Sequence, residues 1–381
     1  MGRRKKGAAS PTWEGPADVL VIGAGTAGAA VAGLLAGRRR VHLVERATAK
    51  DRPSSHTWVS AAAAPLLHKL GLSWKAVGAG AASTVAFHSV EFAKTQEVKV
   101  SKPAAYLAPL AEWNEALVGA AKRAGARCDR GVAIAGLSAR EDDVIAIDAD
   151  GREHVGRIVV LADGASSASA RALGMNLRPP SGPRCAATIE WPAARASKIA
   201  AGSLHFVLGL DASRTLALFW SVARTEALTV VAADAALALR RLGELAEGLR
   251  EGFGAGIPDR ADTGAGETYL VPAGHALEIE SHVGKRAIAV GDAGGFVAAV
   301  TCQGVYPALW SAAIAAEVLD AALDSRQPQD ELRRFDTAWR MAMAEYLQPP
   351  NADLQFLLPL VFSNKQMAQR LAAAFLRGEN L

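Results

Sequence analysis

The chain of 381 residues is poor in cysteine and in aromatic side chains, and it carries almost no net charge outside one short segment. Cys128, Cys185 and Cys302 are odd in number, far apart and set in no C-x-x-C or Cys/His spacing. That excludes a disulfide framework, gives no support for a zinc site, and fits a reducing cytoplasm best. The formal net charge of +4 is that of Arg3, Arg4, Lys5 and Lys6 alone, so the remaining chain is neutral. No aromatic residue is interleaved with that basic run, which removes the case for nucleic-acid binding. Residues 1–16 read as a disordered basic tail that leaves peripheral contact with an anionic membrane open. There is also no P-loop, no Ser/His/Asp order, no metal-ligand cluster and no internal repeat.

Charge is missing from two long stretches, 19–37 and 293–316, each long enough to cross a bilayer. The inner pattern of the first argues against a membrane. "DVLVIGAGTAGAAVAGLLAGRRRVHLVER" opens on a β-branched apolar run, breaks at clustered glycines, continues as an Ala/Leu helix and resumes as a strand at 41–45, a βαβ unit. Gly23 permits the tight turn, Gly25 lets backbone approach a pyrophosphate, and Gly28 with Ala32 lets the helix pack on the sheet. A diphosphate would sit at the helix N-terminus, against free N–H groups and the positive dipole end. Thr26 and Ala27 complete that turn. Glu45, at the end of the second strand, can accept bonds from both ribose hydroxyls, with Arg46 beside it.

Two further segments repeat the device of a strand ending on acid and glycine. In "GREHVGRIVVLADGASSASARALGM" a hairpin turn at Asp150-Gly151 follows a strand at 144–148, and a buried strand at 158–161 ends at Asp163-Gly164. In "AIAVGDAGGFVAAVTCQGVYPALW" a strand at 287–290 ends at Gly291-Asp292.

The trio "GAGTAG", "ADGASS…R" and "GDAGGFVAAVTCQG" resembles the p-hydroxybenzoate hydroxylase-like flavoproteins, over roughly Ala17 to Leu323, and its third motif is most similar to geranylgeranyl reductases. The resemblance implies an α/β fold: a discontinuous, Rossmann-like FAD-binding domain (17–83, 104–180 and 281–325), a β-sheet substrate domain (84–103 and 181–280) and a C-terminal helical region (326–381). It implies that Asp163 and Gly164 shape a turn beside FAD. Asp292 would bond the ribityl chain and pyrophosphate end, and Gly304 and Val305 would open a helix facing the flavin N1/O2 edge, where a positive helix end stabilises reduced flavin. Four places depart from the family pattern. Ala170 stands where an Arg is usual, with Arg171 next to it; Ala299 and Cys302 replace a Pro and a Gly; and 107–110 lacks an Arg before the next helix.

Substrate choice falls to the intervening strands, expected at 84–92, 97–100, 185–191, 204–210, 215–222 and 227–232. Trp220 in "TLALFWSV" is a candidate cavity wall or a core residue, and His275 reads as a turn residue. The loop "RPSSHTWVSAAAAPLLHKLGL" passes near the isoalloxazine in related enzymes, which makes His56 and Trp58 candidates for the reacting site. Cys302 is either a thiol at the flavin edge or a small buried hydrophobe. From Gln327 on, helices are expected, with Leu332, Phe335, Trp339 and Met343 on one core face, and "ADLQFLLPLVF" is apolar enough for a substrate tunnel or a dimer contact.

FAD would pass electrons to a double bond or to dioxygen, so reduction of an isoprenoid-like alkene and flavin-hydroperoxide hydroxylation of an apolar or aromatic small molecule both stay open. With no second G-x-G-x-x-G, NAD(P)H would bind only transiently or electrons would come from a separate carrier protein. The W-x-W-x-I-P motif of flavin halogenases is missing. A flavin-binding redox carrier or scaffold without turnover is the alternative.

Overall fold

The computed structural model describes residues 15–48, 51, 55–100, 102–210, 215–258, 267–349 and 354–379. The basic run Arg3–Lys6 lies outside them. Ala17–Ile22, Val41–Glu45, Arg127–Arg130, Glu153–Leu161 and Ala287–Ala289 form the parallel part of an eight-stranded sheet. Val19, Leu20 and Val21 are fully buried because both sheet faces are covered, which explains why that strand reads as an unbroken apolar run. The expected hairpin is present: Val144–Asp148 pairs antiparallel with Glu153–Leu161 around Gly151, whose φ is +79°.

Thr26–Leu35 returns the chain between the first two strands and packs against Leu110–Ala124 and Val305–Asp324. The uncharged stretches are thus a strand–turn–helix and a loop leading into a buried helix. Among the described residues no helix is long and apolar enough to cross a membrane. Arg39 ties the two helices, with Nε 2.6 Å from Asp320 and Nη2 2.7 Å from Asp324. Pro328–Leu347 covers Val305–Asp324 and buries Leu332, Phe335, Trp339 and Met343, as its periodicity predicts.

The second sheet has seven strands in the order Glu267–Val271, Arg184–Pro192, Thr225–Ala232, Leu216–Val222, Ser203–Leu208, Thr84–Ser89, Thr95–Lys99. All six expected segments are strands, with ends shifted by a few residues. The long helix Ala235–Phe253 was not anticipated: it covers one face of this sheet, started by Asp234, whose Oδ1 accepts from Leu237 N at 2.8 Å, and ended by left-handed Gly254. The opposite face meets Lys365–Arg377, whose Phe375 sits edge-on to Phe87 and Phe206 at 5.9 and 5.2 Å. A small third sheet, His56–Ser60, Ala105–Pro109 and Gly80–Ala82, joins the two large ones.

Under the Ala235–Phe253 helix runs a one-way chain of hydrogen bonds. Ser203 Oγ donates to the Ala200 carbonyl, so it accepts from His205 Nε2 at 2.6 Å; His205 Nδ1 then accepts from His88 Nε2 at 2.9 Å, and His88 Nδ1 from Thr95 Oγ1 at 2.9 Å. Every site is used, and an added proton would set donor against donor. Burial accordingly pushes His88 down to about 4 and His205 well below the usual range.

The unfolded chain takes up these protons near the ordinary histidine value and the folded chain does not. Stability should therefore be full above about pH 6.5 and fall toward pH 4, by on the order of 3 kcal/mol for His88 alone. The difference in urea-unfolding free energy between the parent and the His88→Gln/His205→Gln variant should show this slope across that range.

Candidate functional site

Ile22, Leu161 and Ala289 lie side by side in register, so three parallel strands end at one edge and their loops leave together. No side chain fits where those loops meet. Gly23 is left-handed at φ +100° and a Cβ there would overlap the Ala162 carbonyl; on Gly28 it would overlap the Gly23 carbonyl, and on Gly291 it would stand 2.7 Å from the Ala27 Cβ. Gly25 differs. Its dihedrals are ordinary, φ −68° and ψ −171°, and a Cβ would meet nothing within 4 Å.

The open space beside Gly25 is a cleft of about 470 Å³. Gly25, Thr26, Ala27, Gly164, Asp292, Gly304, Val305, His56 and Cys302 all line it, so most of the candidate residues come together. Two helices, Thr26–Leu35 and Val305–Asp324, begin at the cleft wall without a side-chain cap. Their N–H groups and positive ends face the same space.

The remaining candidates stand around this wall. Glu45 braces the glycine turn: Oε2 accepts from Ala24 N at 2.6 Å and Oε1 from Ala47 N at 2.8 Å, which leaves one lone pair on each oxygen. Arg46 is exposed. Asp163 shapes its turn by accepting from Ser167 Oγ at 2.6 Å and Ser169 N at 3.1 Å. Arg171 donates to the Ser166 carbonyl at the surface.

Two polar groups in the cleft lack partners. Asn114 Oδ1 is buried and unbonded, and the Asp292 carboxylate makes no hydrogen bond or ion pair among the described residues. Asp292 is an exposed residue facing the cleft, and desolvation by the protein around it pushes its carboxyl up to about 6.

Trp58 and Trp220 do not line the cleft. They are 5% and 2% exposed, in the core between the seven-stranded sheet and the Lys365–Arg377 helix, with Trp58 edge-on to Phe206 at 6.1 Å. Their aromatic bulk serves packing there. Cys302 is at the wall in a left-handed conformation, φ +53°, with Sγ 3.6 Å from Arg184 Nη1. Burial pushes its thiol up to about 11 although Arg184 pulls the other way, so it is a neutral thiol near pH 7.

Tyr269 and Asn114 are among the lining residues missed in the sequence, and so was Glu190, which pairs with His56. Glu190 is the sole acid in the strand "RCAATIEWP", and a carboxylate in an apolar run was the available signal. Tyr269, at a sheet edge, and Asn114, in an amphipathic helix, gave none.

The residues present fit a dinucleotide. Gly25 leaves room for a diphosphate at a helix N-terminus, and orphaned Asn114 and Asp292 await donors such as an amino group or ribityl hydroxyls. Residues 16–237 match the family described as FAD binding domain. The chain belongs to that family.

The FAD binding domain family makes it an FAD-dependent oxidoreductase of the p-hydroxybenzoate hydroxylase-like group, as its three motifs suggested. PqsL of Pseudomonas aeruginosa, titled a probable FAD-dependent monooxygenase, superposes with a TM-score of 0.65 at 20% identity, covering 93% of this chain and 98% of that one. A geranylgeranyl bacteriochlorophyll reductase-like protein of Thermoplasma acidophilum gives 0.70 at 15%, covering 96% and 97%. The flavin-dependent brominase Bmp2 gives 0.69 at 14%, covering 96% and 94%. At such identities the likeness is one of fold. No curated protein matches the chain.

Gly25→Ala should leave the apo fold intact, with unfolding free energy changed by less than about 1 kcal/mol, yet weaken FAD binding at least roughly tenfold by fluorescence titration. Gly28→Ala should instead destabilise the apo protein by about 3 kcal/mol or more. Asp292 favours its proton in the folded state, so its own contribution to apo stability falls as pH rises from about 4 to 6, against the rise contributed by His88. Asp292→Asn should melt higher than the parent above pH 6 and equally below pH 4, while binding FAD roughly tenfold more weakly.

Proposed function

We propose that the protein oxidises or reduces an apolar or aromatic small molecule held in a second cavity behind the FAD cleft. One observation carries this reading. A mainly apolar cavity of about 320 Å³, lined among others by Val207, Leu208, Leu216, Val300, Leu358 and Phe375, shares a wall with the cleft. That wall is the Arg184 guanidinium, 2.9 Å from the Ala299 carbonyl and 3.6 Å from Cys302 Sγ, with Cys302 facing the cleft and Arg184 and Ala299 facing the cavity. Its size is at the lower end of small-molecule sites and suits a compact ring system.

In this reading the eight-stranded sheet, with 17–83, 104–180 and 281–325, is the FAD-binding domain, and 84–103 with 181–280 chooses the substrate. Leu358 belongs to "ADLQFLLPLVF", which gives that segment a place in the substrate path. Gly23, Gly25, Thr26, Ala27, Gly28 and Glu45 would hold the diphosphate and ribose, and Gly164, Gly291, Asp292, Gly304 and Val305 the ribityl chain and flavin. FAD supplies two-electron transfer when bound. This chain's residues keep water out of the cavity, orient the substrate along the sheet and place Arg184 at the junction. NAD(P)H or a carrier protein would serve as electron donor, in the cytoplasm.

An aromatic substrate is in keeping with PqsL, a structure of which contains 2-aminobenzoylacetate, and an alkene with the reductase-like protein of Thermoplasma acidophilum. Anaerobic reduction of the FAD-loaded protein, followed by mixing with oxygen or with candidate alkenes, separates the two. Substrate-stimulated oxygen uptake selects monooxygenation, and reoxidation by an alkene without oxygen selects double-bond reduction. Leu216→Phe, which fills the cavity and not the cleft, should raise KM for whichever substrate works by roughly tenfold and leave FAD affinity unchanged. Equal turnover in Leu216→Phe would place the substrate elsewhere.

A further inference from the structure

His56 and Glu190 are 134 residues apart and come from different sheets, His56 from the start of His56–Ser60 and Glu190 from Arg184–Pro192. Both Glu190 oxygens are used on one residue. Oε1 accepts the His56 backbone N–H, and Oε2 stands 2.9 Å from ring Nδ1. The side chains are 16% and 18% exposed, and Glu190 has no other cationic partner among the described residues. An ionised carboxylate can only accept, so Nδ1 carries the hydrogen and Nε2 is the ring atom left without a partner. His56 lines the cleft, whereas Glu190 does not.

We propose that Glu190 is a positioning residue that sets the tautomer and angle of His56, and that His56 Nε2 exchanges the proton which accompanies electron-pair transfer in the cleft. The inference rests on the reading of the cleft as the FAD site. With FAD bound and supplying the electron pair, the imidazolium Nε2–H would give its proton to the atom that gains the pair. The N–H bond breaks, its electrons stay on Nε2, Glu190 keeps the Nδ1 hydrogen, and solvent returns a proton to the ring. No further reactant is needed.

The other titratable groups of the cleft are poorly placed for this task. Tyr269 is half exposed; desolvation with Cys302, Asp292 and Glu190 opposes its ionisation and outweighs the Thr188 hydrogen bond, so it keeps its proton, and so does Cys302, pushed up to about 11. Asp292, pushed up to about 6, is the one competitor near neutrality, and its position against Gly304 is at the helix end rather than beside Glu190. Ser55, Thr57 and Asn114 do not titrate.

Two measurements test the proposal. In the apo protein, imidazole nitrogen NMR should find His56 as the Nδ1–H tautomer, and in Glu190→Gln that preference should weaken; an Nε2–H tautomer in the parent protein overturns the idea. In the FAD-loaded protein, midpoint potential against pH between 5 and 9 should show a break that vanishes in His56→Gln, moves down by roughly one pH unit in Glu190→Gln, and returns in Glu190→Asp. The Asp292 break should stay in all of them. Superimposable potential–pH lines for the parent, His56→Gln and Glu190→Gln would overturn the proposal while FAD remains bound. A parent protein that does not take up FAD would instead sink the reading of the cleft. Should Glu190→Gln fail to fold, the parent's tautomer and the His56→Gln potentials still decide.

Discussion

The structure depends on a backbone contact too close for side chains. Ala162, at the end of one strand, presses its carbonyl against Gly23, at the end of the neighbouring strand, and Gly28 sits on the Gly23 carbonyl one helical turn later. Gly291 closes the third side against Ala27. Because parallel register puts Ile22, Leu161 and Ala289 level, the loops can meet only if their backbones nest. Gly25, Gly164 and Asp292, 139 and 128 positions apart along the chain, share the cleft for that reason. Remove the nesting and the two helix N-termini no longer face one space.

This arrangement also explains the electrostatics. A cleft for a diphosphate is commonly supplied with arginines, yet Ala170 and the apolar 107–110 segment leave this one with few cationic side chains. The positive potential comes instead from the starts of Thr26–Leu35 and Val305–Asp324. A helix end polarises over its first turn only, so the ligand must come close. An open Gly25 allows that approach, and the unpartnered Asp292 limits where negative charge can go.

Elements whose residues answer to local rules were legible in the sequence. The βαβ unit, the Asp150-Gly151 hairpin, six strands of the second sheet and the buried stripe of Pro328–Leu347 each follow from a period or a turn residue within a dozen positions. The long-range glycine loops were legible too, because each loop carries its own strand-plus-glycine signature. Pairings between segments were not. Nothing near Glu190 announces His56, and nothing near Trp58 says whether its ring faces a ligand or Phe206; period 2 places both faces of a fully buried strand in apolar surroundings. Both tryptophans pack in the core, and the carboxylate pairs with a residue that lines the cleft.

Cys302 shows how far the departures can be reconciled. A left-handed Cys costs about 1–2 kcal/mol relative to glycine, and a neutral thiol in a dry wall gives little chemistry in return. Its side chain does, however, extend to Arg184, whose other nitrogen holds the Ala299 carbonyl where a proline would have stiffened the chain. One guanidinium thus ties both positions where the sequence departs from the family it resembles, and the partition between cleft and cavity runs through them. A wall made of a guanidinium and a thiol is polar on the cavity side, so on the proposed reading a small molecule there would meet a cation that takes either an acceptor or a π face.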